Sequence, residues 1–248
     1  MRVRISLAFA VNLIMPLGFL FNSVFVQAEE HLSTTFEVLL IGNSHSSKAG
    51  LPKTLAQLIE TGNQGATVNV ENAGGWKFLA EHLRNKSTRK KLESGSWTHV
   101  VLQAQKYSSS GRYYYPTDAA EEWIRRVRSQ GAKPILFPEW ARRGNNEEGP
   151  RVQKLHQQIS ARAPACVAPV GLAWEQVKQQ EEPIRLHAAD GNHANRNGAL
   201  LAAYVLYEVI TGQHANDLPY IENIKVDAAT QQRLRLVATD TVAANPPC

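Results

Sequence analysis

Short apolar runs alternate along the chain with stretches whose apolar residues fall at helical spacing. Residues 38–41 form a continuous, β-branched-rich run of the kind buried on both faces of a sheet. Leu51, Leu55, Leu58 and Ile59 then recur at the spacing of a one-sided helix. Residues 66–70 alternate as a second strand does. A helix is expected over 76–83, with Trp76, Leu79 and Leu83 on one side, and the polar stretch 84–95 is expected to wrap the outside. Residues 97–103 read as the third strand, 119–127 as an amphipathic helix closed by Gly131, and 133–137 as the fourth strand. A helix over 152–159, a fifth strand over 166–170 and a strongly apolar helix over 198–210 follow. The last segment, 213–248, reads as peripheral, with a short helix over 227–238.

Strands separated by helices at this spacing predict a parallel sheet covered on both faces, joined by right-handed crossovers. The chain has 248 residues, 43% of them hydrophobic, ample for one core. No internal repeat or second core is evident. The expected fold class is α/β, a single three-layer domain.

The first 28 residues stand apart. Arg2 and Arg4 precede a mostly apolar stretch over 5–25, and Val26-Gln27-Ala28 ends it with a cleavage-like pattern, as in a secretory signal peptide. An uncleaved anchor is the alternative, but Asn12, Pro16 and Asn22 interrupt the stretch. The expected division is a signal peptide over 1–28 and one domain over 29–248, exported to the periplasm or the medium, with no stable membrane insertion after cleavage. Removing Arg2 and Arg4 takes the net charge from +5 to +3. That is an ordinary solubility charge and gives no support to a nucleic-acid partner. The basic run 86–91 lacks interleaved aromatics and reads as a solvated face. In an exported chain Cys166 and Cys248 could pair; equally, Cys166 could be a small buried apolar residue and Cys248 a frayed end. No Cys/His spacing resembles a zinc site, and no glycine-rich phosphate cradle is present.

The candidate chemistry sits where strands end. Gly42-Asn43-Ser44 follows the first strand, a turn that can hold a hydroxyl at the C-terminal edge of a sheet, where open α/β sheets place their ligand sites. A serine hydroxyl needs a base, and the base an orienting acid. Asp190 and His193, three apart in a Gly-containing loop, can sit side by side and supply both. His45, next to Ser44 in sequence, is a weaker candidate for the base. Tyr107, Tyr113 to Tyr115, Glu139 and Trp140 lie on loops at the same edge, and Tyr107 and Trp140 are candidates to touch substrate.

Gly-Asn-Ser after the first strand with Asp-x-x-His in a late loop resembles the SGNH hydrolases, or GDSL-type esterases, across most of the chain after residue 28. The resemblance implies a flavodoxin-like sheet of about five strands and a cofactor-free serine esterase. Its implied triad is Ser44, His193 and Asp190. Its implied oxyanion donors are the Ser44 N–H and a glycine after the second strand, Gly75 or its neighbour Gly74. The family's third donor is an asparagine in a Gly-x-Asn motif, and here the third strand instead ends Gln103-Ala104-Gln105, so either glutamine is a candidate. The implied substrate is an acyl ester of a small molecule or polysaccharide, acetyl foremost. A non-catalytic carbohydrate-binding module and an acyltransferase are the alternatives on the same fold.

Overall fold

The computed structural model describes residues 34–248; the expected signal peptide lies outside the described residues. Strand β1 (Thr35–Ile41) opens the domain, followed by one turn of helix, α1 (Ser44–Ser47), and by α2 (Leu51–Gly62). Then come β2 (Thr67–Asn72), α3 (Leu79–Arg84), α4 (Lys86–Ser94), β3 (His99–Leu102) and α5 (Asp118–Ser129). The chain continues through β4 (Lys133–Leu136), α6 (Glu148–Arg162), β5 (Cys166–Val167), α7 (Val170–Lys178), α8 (Arg196–Thr211) and α9 (Ala228–Ala244).

The five strands are parallel in the order β2-β1-β3-β4-β5, the doubly wound order of flavodoxin-like sheets. Successive residues of a strand face opposite sides, and the core divides accordingly. Val38 and Leu40 of β1 join Val101 and Ile135 in one apolar cluster with α2, α7, α8 and α9. Leu39 and Ile41 join Val100, Leu102 and Leu136 in a second cluster with α3 and α5. Both faces of the sheet are therefore dry, which is why the strands are continuous apolar runs instead of alternating ones.

Several expectations are corrected. The helix expected from residue 76 begins at Leu79, and Trp76 is left exposed. Residues 86–94 are helical and bury Leu92 on the second cluster. The fifth strand pairs only at Cys166 and Val167, and Val170 already starts α7. The C-terminal segment is not peripheral: α9 is 17 residues long and its Leu234, Val237 and Ala238 are buried in the first cluster. Helix α8 is buried on nearly every side from Gly198 to Ile210 because α2, α7 and α9 pack against it. Cys166 and Cys248 form a disulfide that closes 82 residues of chain, and beside it the Val167 N–H donates to the Pro247 carbonyl at 2.7 Å. Among the described residues, no helix is long and apolar enough to cross a membrane.

Candidate active site

Ser44, Asp190 and His193, 149 residues apart at the extremes, come together at the C-terminal edge of the sheet. The Ser44 Oγ lies 2.8 Å from His193 Nε2, and His193 Nδ1 lies 2.6 Å from Asp190 Oδ2. Asp190 Oδ1 also accepts the backbone N–H groups of Asn192 and His193, each at 2.9 Å. With its other oxygen on the imidazole, the carboxyl is held far below the usual carboxylate range, chiefly by the His193 hydrogen bond and then by the two backbone donors. Its side chain is half-exposed, whereas that of His193 is mostly covered.

The late loop is anchored on several sides. His187 and Ala194 pair in an antiparallel bridge, and the Trp140 indole N–H donates to the Asn192 carbonyl at 2.9 Å. The Arg143 N–H donates to the Gly191 carbonyl at 2.8 Å, while Gly191 takes the left-handed conformation that the turn requires. Trp140 is buried and stacks flat on Trp174, ring centres 4.1 Å apart. It therefore supports the His193 loop from below and does not reach substrate, contrary to the expectation from sequence.

The Ser44 turn is held with equal economy. Gln103 Oε1 accepts the Asn43 N–H at 2.8 Å, and Gln103 Nε2 donates to Glu139 Oε2 at 2.6 Å. Asn43 caps α1, its side chain accepting the His45 N–H at 3.0 Å. The Gly42 carbonyl accepts a hydrogen bond from His82 Nε2 at 2.8 Å, while Thr88 Oγ1 lies 3.0 Å from His82 Nδ1. Burial lowers the His82 pKa. A Cβ on Gly42 would collide with Gln103 Oε1 and stand 2.6 Å from Ser46 Oγ, so the close approach of Gln103 needs glycine there.

The four expected oxyanion donors part company. The N–H groups of Asn43 and His45 are engaged, and between them the Ser44 N–H has no partner among the described residues. After β2, the Gly74 N–H donates to Asn72 Oδ1 at 2.8 Å, which leaves the Gly75 N–H likewise without a partner among the described residues. Gln105 spends its amide on the Lys106 and Pro116 carbonyls, at 2.8 and 3.0 Å. Gln103 is fully buried and acts on the turn, so neither glutamine presents a donor to the cleft. Ala104, between them, is held at φ 74°, a left-handed conformation that costs a non-glycine residue roughly 1–3 kcal/mol.

His45 is not placed as the base of Ser44. Its ring stacks on His193 with centres 5.0 Å apart and leans on Trp140, and its Nδ1 stands 3.5 Å from Glu139 Oε2. Tyr107 is half-buried, donates to Glu148 Oε1 at 3.1 Å, and has its phenol pKa driven upward by burial and by the Glu139 and Glu148 carboxylates. Gln103, Glu139 and His82 escaped the sequence reading as supports of the turn. Only His82 left a trace, falling three residues after Leu79 on the packed stripe of α3. Among the described residues no group of three or more His, Cys, Asp or Glu side chains is arranged to hold a metal ion.

A hydroxyl, an imidazole and a carboxylate in line at the end of a parallel sheet are the working parts of a serine hydrolase. No family profile and no curated protein matches the chain. Among solved structures, a protein from Slackia heliotrinireducens assigned to the SGNH hydrolases is 26% identical, with a TM-score of 0.58 over 71% of this chain and 98% of its own. A DUF4886 family protein from Bacteroides uniformis reaches a TM-score of 0.65 at 17% identity, over 86% and 96% of the two chains. Axe2, an acetylxylan esterase from Geobacillus stearothermophilus, shares the fold at 13% identity and a TM-score of 0.52, over 73% and 96%. The fold is that of the SGNH hydrolases, and these neighbours support an ester-bond hydrolase of that kind.

Proposed function

We propose that the protein is an exported serine esterase that removes small acyl groups, acetyl foremost, from glycan esters without a cofactor. Ser44 is the nucleophile: its Oγ attacks the ester carbonyl as His193 Nε2 takes the proton. Asp190 keeps the His193 Nδ1–H in place and offsets the imidazolium charge. The Ser44 and Gly75 N–H groups stabilise the oxyanion, each worth on the order of 3 kcal/mol in such sites. Collapse expels the sugar alcohol with the proton from His193, and water, activated by the same imidazole, clears the acyl-enzyme.

The observation that carries this reading is the 2.8 Å and 2.6 Å relay from Ser44 through His193 to Asp190. Support for the acetyl group comes from the shared fold with an acetylxylan esterase, and support for export from the pattern of residues 1–28. Fluorophosphonate labelling of the mature chain tests it. The wild type is expected to label and to hydrolyse p-nitrophenyl acetate, while Ser44→Ala and His193→Ala lose both, by roughly 10⁴-fold or more in rate. A Ser44→Ala variant that still labels or turns over at the wild-type rate overturns the assignment.

A further inference from the structure

The edge that carries Ser44 also carries aromatic rings and ammonium groups that ester cleavage leaves unused. Trp76 is 69% exposed, Tyr113 70% and Tyr114 81%, so their flat faces are open to a ligand. Lys48 Nζ stands 5.2 Å from the centre of the Trp76 ring. Lys106 Nζ stands 5.6 Å from Phe78 and 4.6 Å from Tyr115. Between them Lys77 reaches over the glycine turn, its Nζ 2.9 Å from where a Cβ on Gly75 would stand. Beyond Tyr115 an open groove of about 190 Å³ continues, lined among others by Tyr107, Tyr113, Tyr114, Arg151 and Lys154. Lys48 follows β1, Trp76, Lys77 and Phe78 follow β2, and Lys106 and the tyrosines follow β3, all past the end of the sheet that carries Ser44.

The lysines of this edge are unneutralised. Elsewhere Lys91 lies 2.6 Å from Glu71 and Lys178 lies 2.9 Å from Glu175. Among the described residues, none of Lys48, Lys77, Lys106 or Lys154 has an ion-pair partner. Ammonium groups resting on exposed ring faces attract anions, while the rings offer flat apolar surfaces about the size of a pyranose. An acyl chain would need an enclosed apolar slot; here the groove is open and its rings are bordered by charge.

We propose that this edge is a binding track for an acidic glycan, a polysaccharide whose sugars carry carboxylates. The rings stack on sugar faces, the lysines meet the carboxylates, and an ester-bearing sugar lies over Ser44. The last element rests on the esterase reading; the binding does not.

The test therefore uses binding without turnover. Affinity electrophoresis of Ser44→Ala in gels containing polygalacturonate or dextran should show retardation by polygalacturonate alone, weakened by salt. Adding Lys48→Gln, Lys77→Gln and Lys106→Gln together should weaken that binding roughly tenfold or more, since each exposed ion pair contributes modestly; Trp76→Ala should weaken it as well. Lys133→Gln, at the opposite end of the sheet, should bind as the parent does. Equal retardation by dextran, or a triple variant that binds as tightly as the parent, overturns the track. So does tighter binding of a single-stranded oligonucleotide than of polygalacturonate. Fluorophosphonate labelling reports on Ser44 separately: a labelled protein that ignores polygalacturonate loses the track alone, and an unlabelled one that binds it loses the esterase alone.

Discussion

Gln103, at the end of β3, accepts the backbone N–H of Asn43 across 60 residues of chain, at 2.8 Å. One of the two glutamines expected as a donor to substrate here fixes the turn that carries Ser44. Gln103→Leu would leave a buried N–H unpaired, a cost of about 1–3 kcal/mol, and would loosen Ser44. The expected result is a lower kcat with little change in KM, read from p-nitrophenyl acetate kinetics, together with a fall in Tm. A variant with the wild-type kcat would show that the clamp does not position Ser44.

Asp190 is half-exposed, so water screens its field at the imidazole. Asp190→Asn is therefore expected to lower kcat less than His193→Ala does, by roughly one to two orders of magnitude less. Because its folded pKa is depressed, chiefly by the hydrogen bond to His193, the ionised form favours the native state. That contribution is complete above the unfolded value, about 3.9, and is lost as the pH falls through the depressed one. Thermal melts of wild type and Asp190→Asn should differ by a constant amount at weakly acidic to neutral pH and converge only in stronger acid. Convergence already near neutrality would refute the depressed pKa.

Four imidazoles are held neutral by burial. His82 and His187 are shifted downward, and His99 and His156 are lowered to about 4. An unfolded histidine takes up a proton near pH 6.5, so below that point the unfolded chain binds protons that the native one refuses. Stability should fall steadily from about pH 6.5 downward. His82→Gln, which keeps a donor for the Gly42 carbonyl, should flatten part of that slope. An unchanged slope would mean that His82 does not couple to folding.

Closing 82 residues with the Cys166–Cys248 disulfide removes denatured-state entropy worth about 4.5 kcal/mol in the chain-entropy account. Cys248→Ser should lower Tm by several degrees, and a reducing agent should do the same to the wild type but not to the variant. Esterase rates of the folded protein should be untouched, since β5 is the outer strand and β3 and β4 stand between it and the strand that leads to Ser44. Equal melting of the oxidised and reduced wild type would contradict the pairing.

The layered fold was legible because both sheet faces are buried: the runs at 38–41, 99–102 and 133–136 could hardly be read otherwise. Ser44 stood out because it follows a strand end, and Asp190 and His193 because they are three apart in a Gly-containing loop; the structure brings the three side chains together. The supports were not. Gln103 and Trp140 look like ligand-facing loop residues until packing shows one pinned to Asn43 and the other flat on Trp174. The peripheral reading of the C-terminus failed for a similar reason: α9 is only weakly amphipathic, and what buries it is the largely apolar α8 that it covers.

That C-terminal tail has a further physical effect. A two-residue outer strand such as β5 would otherwise offer open backbone groups for a second molecule to pair with. The Pro247 carbonyl already occupies the Val167 N–H, and the bond between Cys166 and Cys248 keeps the tail from peeling away. The disulfide thus does more than stabilise the chain: it holds a cover over this flank, where an open edge could pair with a second molecule.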